Sequence, residues 1–233
     1  MLKIDARSLS KTMFLAIAGL GLIALVCQAA VIFVSPRPTK VRLQVSAGKS
    51  ASGEVEVLNP TDSVLNMRAY LEDFILNEKG INYMPKGSQK NSCSPWMEIY
   101  PEAFEIPPKG KVNVRYVLNV PPNANGSYYS VIFYESYGGK QKLAKGVGVS
   151  VVARVGTHIT ALVNGTVKRK VSDIILQASK PGKDKPLTIN YSLDNTGNVD
   201  VMVNGDFSIL DNKGNLAGRG KYTMARTMSG GKM

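Results

Sequence analysis

From position 40 onward, hydrophobic and polar residues alternate with a period of two, broken by Gly, Pro and Asn, and no long helical stripe intervenes. That pattern predicts an all-β chain. Val41, Leu43 and Val45 alternate with Arg42 and Gln44 up to a turn at Ala47-Gly48. Val55 and Val57 alternate with Glu54 and Glu56 before the Asn59-Pro60 break. Leu65, Met67, Ala69 and Leu71 form the next inward row, facing away from Asn66 and Arg68. Glu78-Lys79-Gly80 predicts a turn, and the polar stretch through Lys86-Gly87-Ser88 reads as a loop as far as Trp96. Val112, Val114, Tyr116, Leu118 and Val120 give the cleanest alternation, closed by Pro121-Pro122. Tyr128 to Tyr134 is apolar on both faces, as a central strand requires. Val147, Val149 and Val151 alternate with Gly148 and Ser150, and the pattern continues through Val155 to Leu162.

Seven such runs over about 120 residues match a β-sandwich of immunoglobulin size. The Cys-Trp-Cys framework of antibody domains is absent. A second pattern begins near Val167. Leu187 to Leu193 reads as a strand, Asn195-Thr196-Gly197-Asn198 as a turn, Val199 to Leu210 as a further strand or pair, and Asp211-Asn212-Lys213-Gly214 as a last turn. The expected division is 1–30, a signal peptide or membrane anchor; 38–165, a full sandwich; and 166–233, an incomplete second sandwich. The second unit has fewer than about 70 residues against the roughly 100 of a full sandwich. Either further chain completes it, or it exposes an edge and an apolar face that something else covers.

The first 30 residues follow a different rule. Lys3, Arg7 and Lys11 precede an uncharged run from Met13 to Cys27, followed by Gln28-Ala29-Ala30, the order of a secretory signal. The protein is therefore expected to be exported, to the periplasm or cell envelope. Cleavage after Ala29 sets small residues at the two specificity positions. Retention as a hydrophobic helical anchor is the competing reading, because apolar residues resume at Val31 to Val34 and bring the stretch to about 20 residues.

Charge and chemistry narrow the function. The 29 basic residues against 17 acidic ones give a net charge of +12, which favours anionic partners. The charge is dispersed, without a dense basic run interleaved with aromatics, so nucleic acid is not an expected partner. Cys27 falls in the export segment, leaving Cys93 as a lone thiol expected to be half-buried and inert. His158, the single histidine, builds neither a metal site nor a catalytic triad by itself. No nucleophile elbow, phosphate-cradling loop or paired-carboxylate signature is present, and Glu98, Glu102 and Glu105 read as solvating charge on an edge. No enzyme activity, cofactor or metal is expected.

The stretch Trp96 to Glu135 reads W-x4-P-x2-F-x-I-P-P-x-G-x-V-x-V-x-Y-x-L-x-V-P-x4-G-x-Y-x2-V-I-F-Y-E, an order that resembles the PapD-like family of bacterial periplasmic chaperones. The prolines and Gly110 bound a short edge segment that carries Phe104 inward, and Pro121, Pro122 and Gly126 set a corner between two sheets. The resemblance implies an immunoglobulin-like, PapD-like β-sandwich followed by a partial second sandwich. It also implies a function: such chaperones lend an alternating-hydrophobic strand to an incomplete pilin subunit, and two cleft cations hold the subunit's C-terminal carboxylate. On this sequence the implied donor strand is Val147, Val149 and Val151, and the implied cations are Arg42 and Arg154. Arg suits that role because its planar fork holds a carboxylate bidentately. The expected partner is a polypeptide, a pilin-like subunit bound at a sheet edge during assembly of pili or surface fibres. The rival expectation is a structural or adhesive sandwich of the cell envelope that lends no strand.

Overall fold

The computed structural model describes residues 34–77, 80–137, 140–142, 148–150, 152–179, 182, 187–223 and 226–232. The expected hydrophobic N-terminal helix and the export segment lie outside these residues. Among the described residues no helix is long and apolar enough to cross a membrane.

In chain order the strands begin with β1 (Ser35–Arg37), β2 (Lys40–Val45), β3 (Ser50–Leu58), β4 (Leu65–Asn77) and β5 (Gly80–Pro85). A 3-10 turn at Ser94–Trp96 leads into β6 (Met97–Tyr100), β7 (Ala103–Ile106), β8 (Lys111–Asn119) and β9 (Ser127–Ser136). Next come β10 (Lys140–Lys142), β11 (Gly148–Ser150) and β12 (Arg154–Val163). The C-terminal region adds β13 (Ile175–Ala178), β14 (Ile189–Ser192), β15 (Asn204–Leu210) and β16 (Leu216–Thr223).

Two sheets form the sandwich. One runs β1-β3-β8-β6; the other runs β2-β12-β9-β4-β5, with β7 beside the first half of β4. All pairings in them are antiparallel except β2 with β12, which is parallel from Lys40 opposite His158 to Val45 opposite Val163. The chain changes sheet at two cis prolines, Arg37-Pro38 and Tyr100-Pro101. β13 pairs with β14 and β15 with β16 as separate hairpins.

The alternation read from the sequence sets the core. Val55 and Val57 of β3 and Val114, Tyr116 and Leu118 of β8 are buried from one side. Met67, Ala69 and Leu71 of β4, Ile132 and Tyr134 of β9, and Ile159 and Ala161 of β12 meet them from the other. Burying a side chain of this size stabilises by about 1.5–3 kcal/mol, which lets the sandwich hold without a disulfide. Cys93 is fully buried rather than half-buried, because it sits under β9 with its Sγ 3.3 Å from Ser130 Oγ.

One strand occupies a stretch that reads as turn and loop. β5 fills part of the polar segment after Gly80, and the rest of that segment is held by Asp73. This buried carboxylate accepts hydrogen bonds from Ser92 Oγ and Ser94 Oγ, both at 2.6 Å, and from the Gln89 amide at 2.9 Å. β6 is four residues long and buries Met97 and Ile99. On β7, Phe104 is half-buried and Ile106, two residues on, fills the core. The predicted turn at Glu78-Lys79-Gly80 is described only at Gly80, whose φ is 111°.

The last third of the chain is more exposed. Leu176, Leu210 and Leu216 on its hairpins are each open to solvent. Around Asn195 the packing tightens: Leu193, Asn195, Val199 and Thr227 are buried, and Asn195 Nδ2 donates to the carbonyls of Val199 and Thr227. This region docks on the first sandwich at the start of β9, where the Ser127 amide donates to Asn198 O at 2.9 Å. Gly126 permits the approach. Its φ is +78°, and a Cβ there would stand 2.4 Å from Asn198 O.

Candidate functional site

An antiparallel sheet with one face in water is polar on that face. The outer face of the larger sheet is not. Register sets its residues in rows: Phe133 between Tyr70 and Gly156; Val131 between Glu72 and His158; Tyr129 opposite Thr160, which stands opposite Arg42. Phe74, Tyr129, Val131 and Phe133 form a buried apolar cluster on it, with Tyr70 and Met228 packed against them. Ring contacts tie it across strands: Tyr83 meets Phe133 edge-on at 4.7 Å, and Phe74 meets Tyr129 at 6.1 Å and His158 at 4.8 Å. Gly156 leaves room for this layer, since a Cβ there would lie 2.7 Å from Val131 and 3.0 Å from Phe133.

At the β2 end of this face a cavity of about 350 Å³ opens. Lys40, Arg42 and Arg226 bring cationic heads to it, while Phe74, Leu76 and Ile81 supply an apolar wall. His158 and Thr160 complete the lining from β12. Asp200, with 9% of its side chain exposed, organises the cations. Arg226 Nε donates to its Oδ2 at 2.8 Å, Arg42 Nη1 lies 3.5 Å from the same oxygen, and Arg226 Nη2 reaches Thr160 Oγ1 at 3.3 Å. Burial pushes the Asp200 carboxyl up, but the bond and charge of Arg226, the charge of Arg42 and the Tyr129 hydroxyl outweigh it and hold the group below its usual range. Burial, then the charges of Lys40 and Arg226, hold His158 below the ordinary imidazole value. Burial pushes the Tyr129 phenol up to about 12. With one carboxylate among three cations, the cavity keeps a surplus of positive charge for an anionic group. Its wall suits an apolar substituent beside that group.

Arg42 belongs to this cavity and keeps 46% of its side chain exposed. Arg154 does not line it. Both arginines lie on the outer face, yet Arg42 stands opposite Thr160, six residues along β12 from Arg154. At about 3.3 Å per residue this offsets their backbones by roughly 20 Å along the sheet. The guanidinium of Arg154 already holds an internal carboxylate. Its Nη1 and Nη2 donate to Glu72 Oε1 and Oε2 at 3.0 and 3.1 Å, and Nη1 also reaches Tyr70 Oη at 3.2 Å. Its carbon centre lies 3.6 Å from the Phe133 ring centroid, a close cation-π contact. Lys40, His158, Asp200 and Arg226 were not singled out as site residues by the sequence pattern. Lys40 carried a signal, being two positions before Arg42 on the same strand face.

The strand expected as donor lies on the returning limb of a long hairpin. β9 and β12 pair from Ser127 opposite Leu162 to Glu135 opposite Arg154. The Ser136 amide then donates to Ala153 O at 3.0 Å, and β10 and β11 pair as a separate two-stranded ladder, with Gln141 opposite Val149. Val147 and Val151 lie outside the described residues. β2 takes up the other side of β12 only from His158 onward, and among the described residues no strand pairs there along Arg154–Thr157.

No family model matches the chain, and no curated protein matches it either. Solved structures do. The chain is similar to the class 5 fimbriae chaperone CfaA, with a TM-score of 0.52 and 15% identity over 86% of this chain and 84% of that one. It is equally similar, with a TM-score of 0.52 and 12% identity over 86% and 84%, to a chain of a chaperone-tip adhesin complex described as vital for synergistic activation of CFA/I fimbriae biogenesis. Two sheets in this order, with β2 parallel to β12 and a docked C-terminal region, make the described chain all-β, with a fold similar to that of these fimbrial chaperones.

Proposed function

We propose that this chain is an exported, non-enzymatic protein that binds other polypeptides by strand addition along β11 and β12, as an assembly chaperone for pilin-like subunits. The reaction is association, with no bond made or broken. One observation carries the reading: the open edge of β12 ends where β2 begins, at Lys40 opposite His158. A partner strand added there parallel to β12 runs toward the cation cavity and delivers its C-terminal carboxylate to Lys40, Arg42 and Arg226. Backbone pairing supplies affinity, and the charged end fixes register. In this reading 1–30 directs export, 38–165 is the binding sandwich, Val149 with Val147 and Val151 forms the donor stretch, and 166–233 completes the cavity through Asp200 and Arg226. Arg42 keeps the anchoring role, while Arg154 holds Glu72 and shapes the face.

The test is capture from an envelope extract followed by amide hydrogen exchange of the complex. Recovery of one dominant small β-rich polypeptide, with slowed exchange along 148–157, supports the proposal. Capture should fall at least tenfold in Lys40→Ala combined with Arg42→Ala, and stay near wild type in Arg154→Ala corrected for stability. A bound polypeptide that protects other strands, or retention of wall polymer or lipid alone, would overturn it in favour of an envelope sandwich that lends no strand.

A further inference from the structure

His158 is the chain's single histidine, and the fold sets it among cations. Its register partner on β2 is Lys40, and Arg226 acts on it from the C-terminal region. Arg42 lines the same cavity, and Asp200, the carboxylate behind these cations, is engaged by Arg226 and Arg42. From β5, Tyr83 Oη lies 3.1 Å from His158 Nε2. From β4 the ring of Phe74 meets it edge-on, and Glu72, two strands away in the same row, is occupied by Arg154. β9 sets only Val131 opposite it.

We propose that the cavity takes up a proton on His158 together with a carboxylate ligand, so that the chain holds its partner's C-terminal end more tightly as pH falls. This rests on the reading of the cavity as a carboxylate site. With the cavity empty of ligand, a proton on His158 is opposed first by burial and then by the charges of Lys40 and Arg226. A carboxylate lodged between those cations cancels the repulsion and adds an attraction of its own. The proton comes from solvent. Tyr83 accommodates it, because a phenol that donates to the neutral ring accepts from the protonated one, so no hydrogen bond is lost.

By linkage, each pH unit by which the ligand raises the titration of His158 gives a tenfold gain in affinity at acid pH over neutral pH. A carboxylate within about 4–6 Å raises such a group by about one to three units. The retained cations put this site at the low end, so the gain is about tenfold. It develops as pH drops through the titration of the bound state and levels off below that of the free state.

The probe is N-acetyl-phenylalanine, which carries a free carboxylate beside an apolar ring, against its amide, which lacks the charge. A single histidine makes the imidazole resonance unambiguous by NMR. Three results are expected: saturating acid moves the His158 titration up by about one pH unit, the amide leaves it in place, and the acid binds about tenfold tighter at pH 5 than at pH 8. In His158→Gln the ratio of the affinities at pH 5 and pH 8 should fall from about tenfold to near one. Binding of the acid at the cavity with an unmoved histidine titration would overturn the proton coupling while leaving the carboxylate site standing. No binding of the acid at either pH, with lining resonances unperturbed, would overturn both.

Discussion

Arg226 and Asp200 join at 2.8 Å, and the same Asp200 oxygen lies 3.5 Å from Arg42 on β2. A carboxylate of the C-terminal region thus bridges a cation of its own region and one of the first sandwich. Tyr129 reinforces the junction, its hydroxyl accepting from the Asp200 amide at 3.0 Å. The cavity therefore takes one of its three cations, Arg226, from the C-terminal region.

Removing Asp200 should cost stability and loosen that docking. In Asp200→Ala, Arg226 keeps 34% exposure of its side chain, so the loss is about 2 kcal/mol, below the 3–5 kcal/mol of a fully buried broken pair. Guanidinium denaturation of Asp200→Ala, Arg226→Ala and the double variant should return a coupling of about 1–2 kcal/mol. Additive losses would mean that the pair contributes nothing beyond its separate packing.

Asp73 is the anchor of the segment 87–94. Its carboxylate gathers two serine hydroxyls and one amide inside the fold, and Asp73→Ala leaves those donors without their acceptor. We expect a loss of about 3 kcal/mol and faster proteolysis within Lys86–Lys90, read by denaturation and by mapping of the cut sites. Wild-type stability in Asp73→Ala would show that water replaces the carboxylate at no cost.

Much of this fold is legible in the sequence, and the reasons are local. The rows Leu65–Leu71 and Val112–Val120 can be read because one face of each strand is apolar and the other polar. Tyr128–Tyr134 can be read because both faces are covered. β5 escapes because its apolar residues, Ile81 and Tyr83, lie on an exposed edge between a glycine and a proline. The cation cavity escapes for another reason: Arg226 finds Thr160 across 66 residues, and Arg154 finds Glu72 across 82, distances over which no periodicity runs. The resemblance implies two cleft cations, and register adds that Arg42 and Arg154 stand six residues apart along the outer face, with Arg154 already holding Glu72.

Cys93 should be chemically silent in the native state. Burial pushes its thiol up to about 12, so almost no thiolate exists at pH 8, and reagent cannot reach the fully buried sulfur. In a chain carrying Cys27→Ser, Ellman's reagent should react with less than about 5% of the protein over an hour, then with all of it once guanidinium unfolds the chain. Rapid native labelling would mean that the sandwich opens around Ser130 far more often than its packing implies.

Acid should weaken the fold in two steps, the first owned by His158 and the second shared by Asp200 with Glu135 and Asp211, which are also held below their ordinary values. His158 titrates in the fold below the 6.5 of a free imidazole, so the unfolded chain binds more protons, and stability, full above about 6.5, declines as pH falls toward the folded value. Asp200 titrates in the fold below its ordinary 3.8, so its contribution, full above that value, is lost only as pH drops further through the folded value. His158 and Asp200 each impose a slope of at most about 1.4 kcal/mol per pH unit within their own windows. Guanidinium denaturation from pH 7.5 to 3 should therefore show a first decline beginning near pH 6.5, absent in His158→Gln, and a second below pH 4, reduced in Asp200→Asn. A flat stability from pH 7 to pH 5 in the wild type would show that the imidazole charges in place, with the Phe74 and Tyr83 rings and the neighbouring cations exerting no net penalty on it.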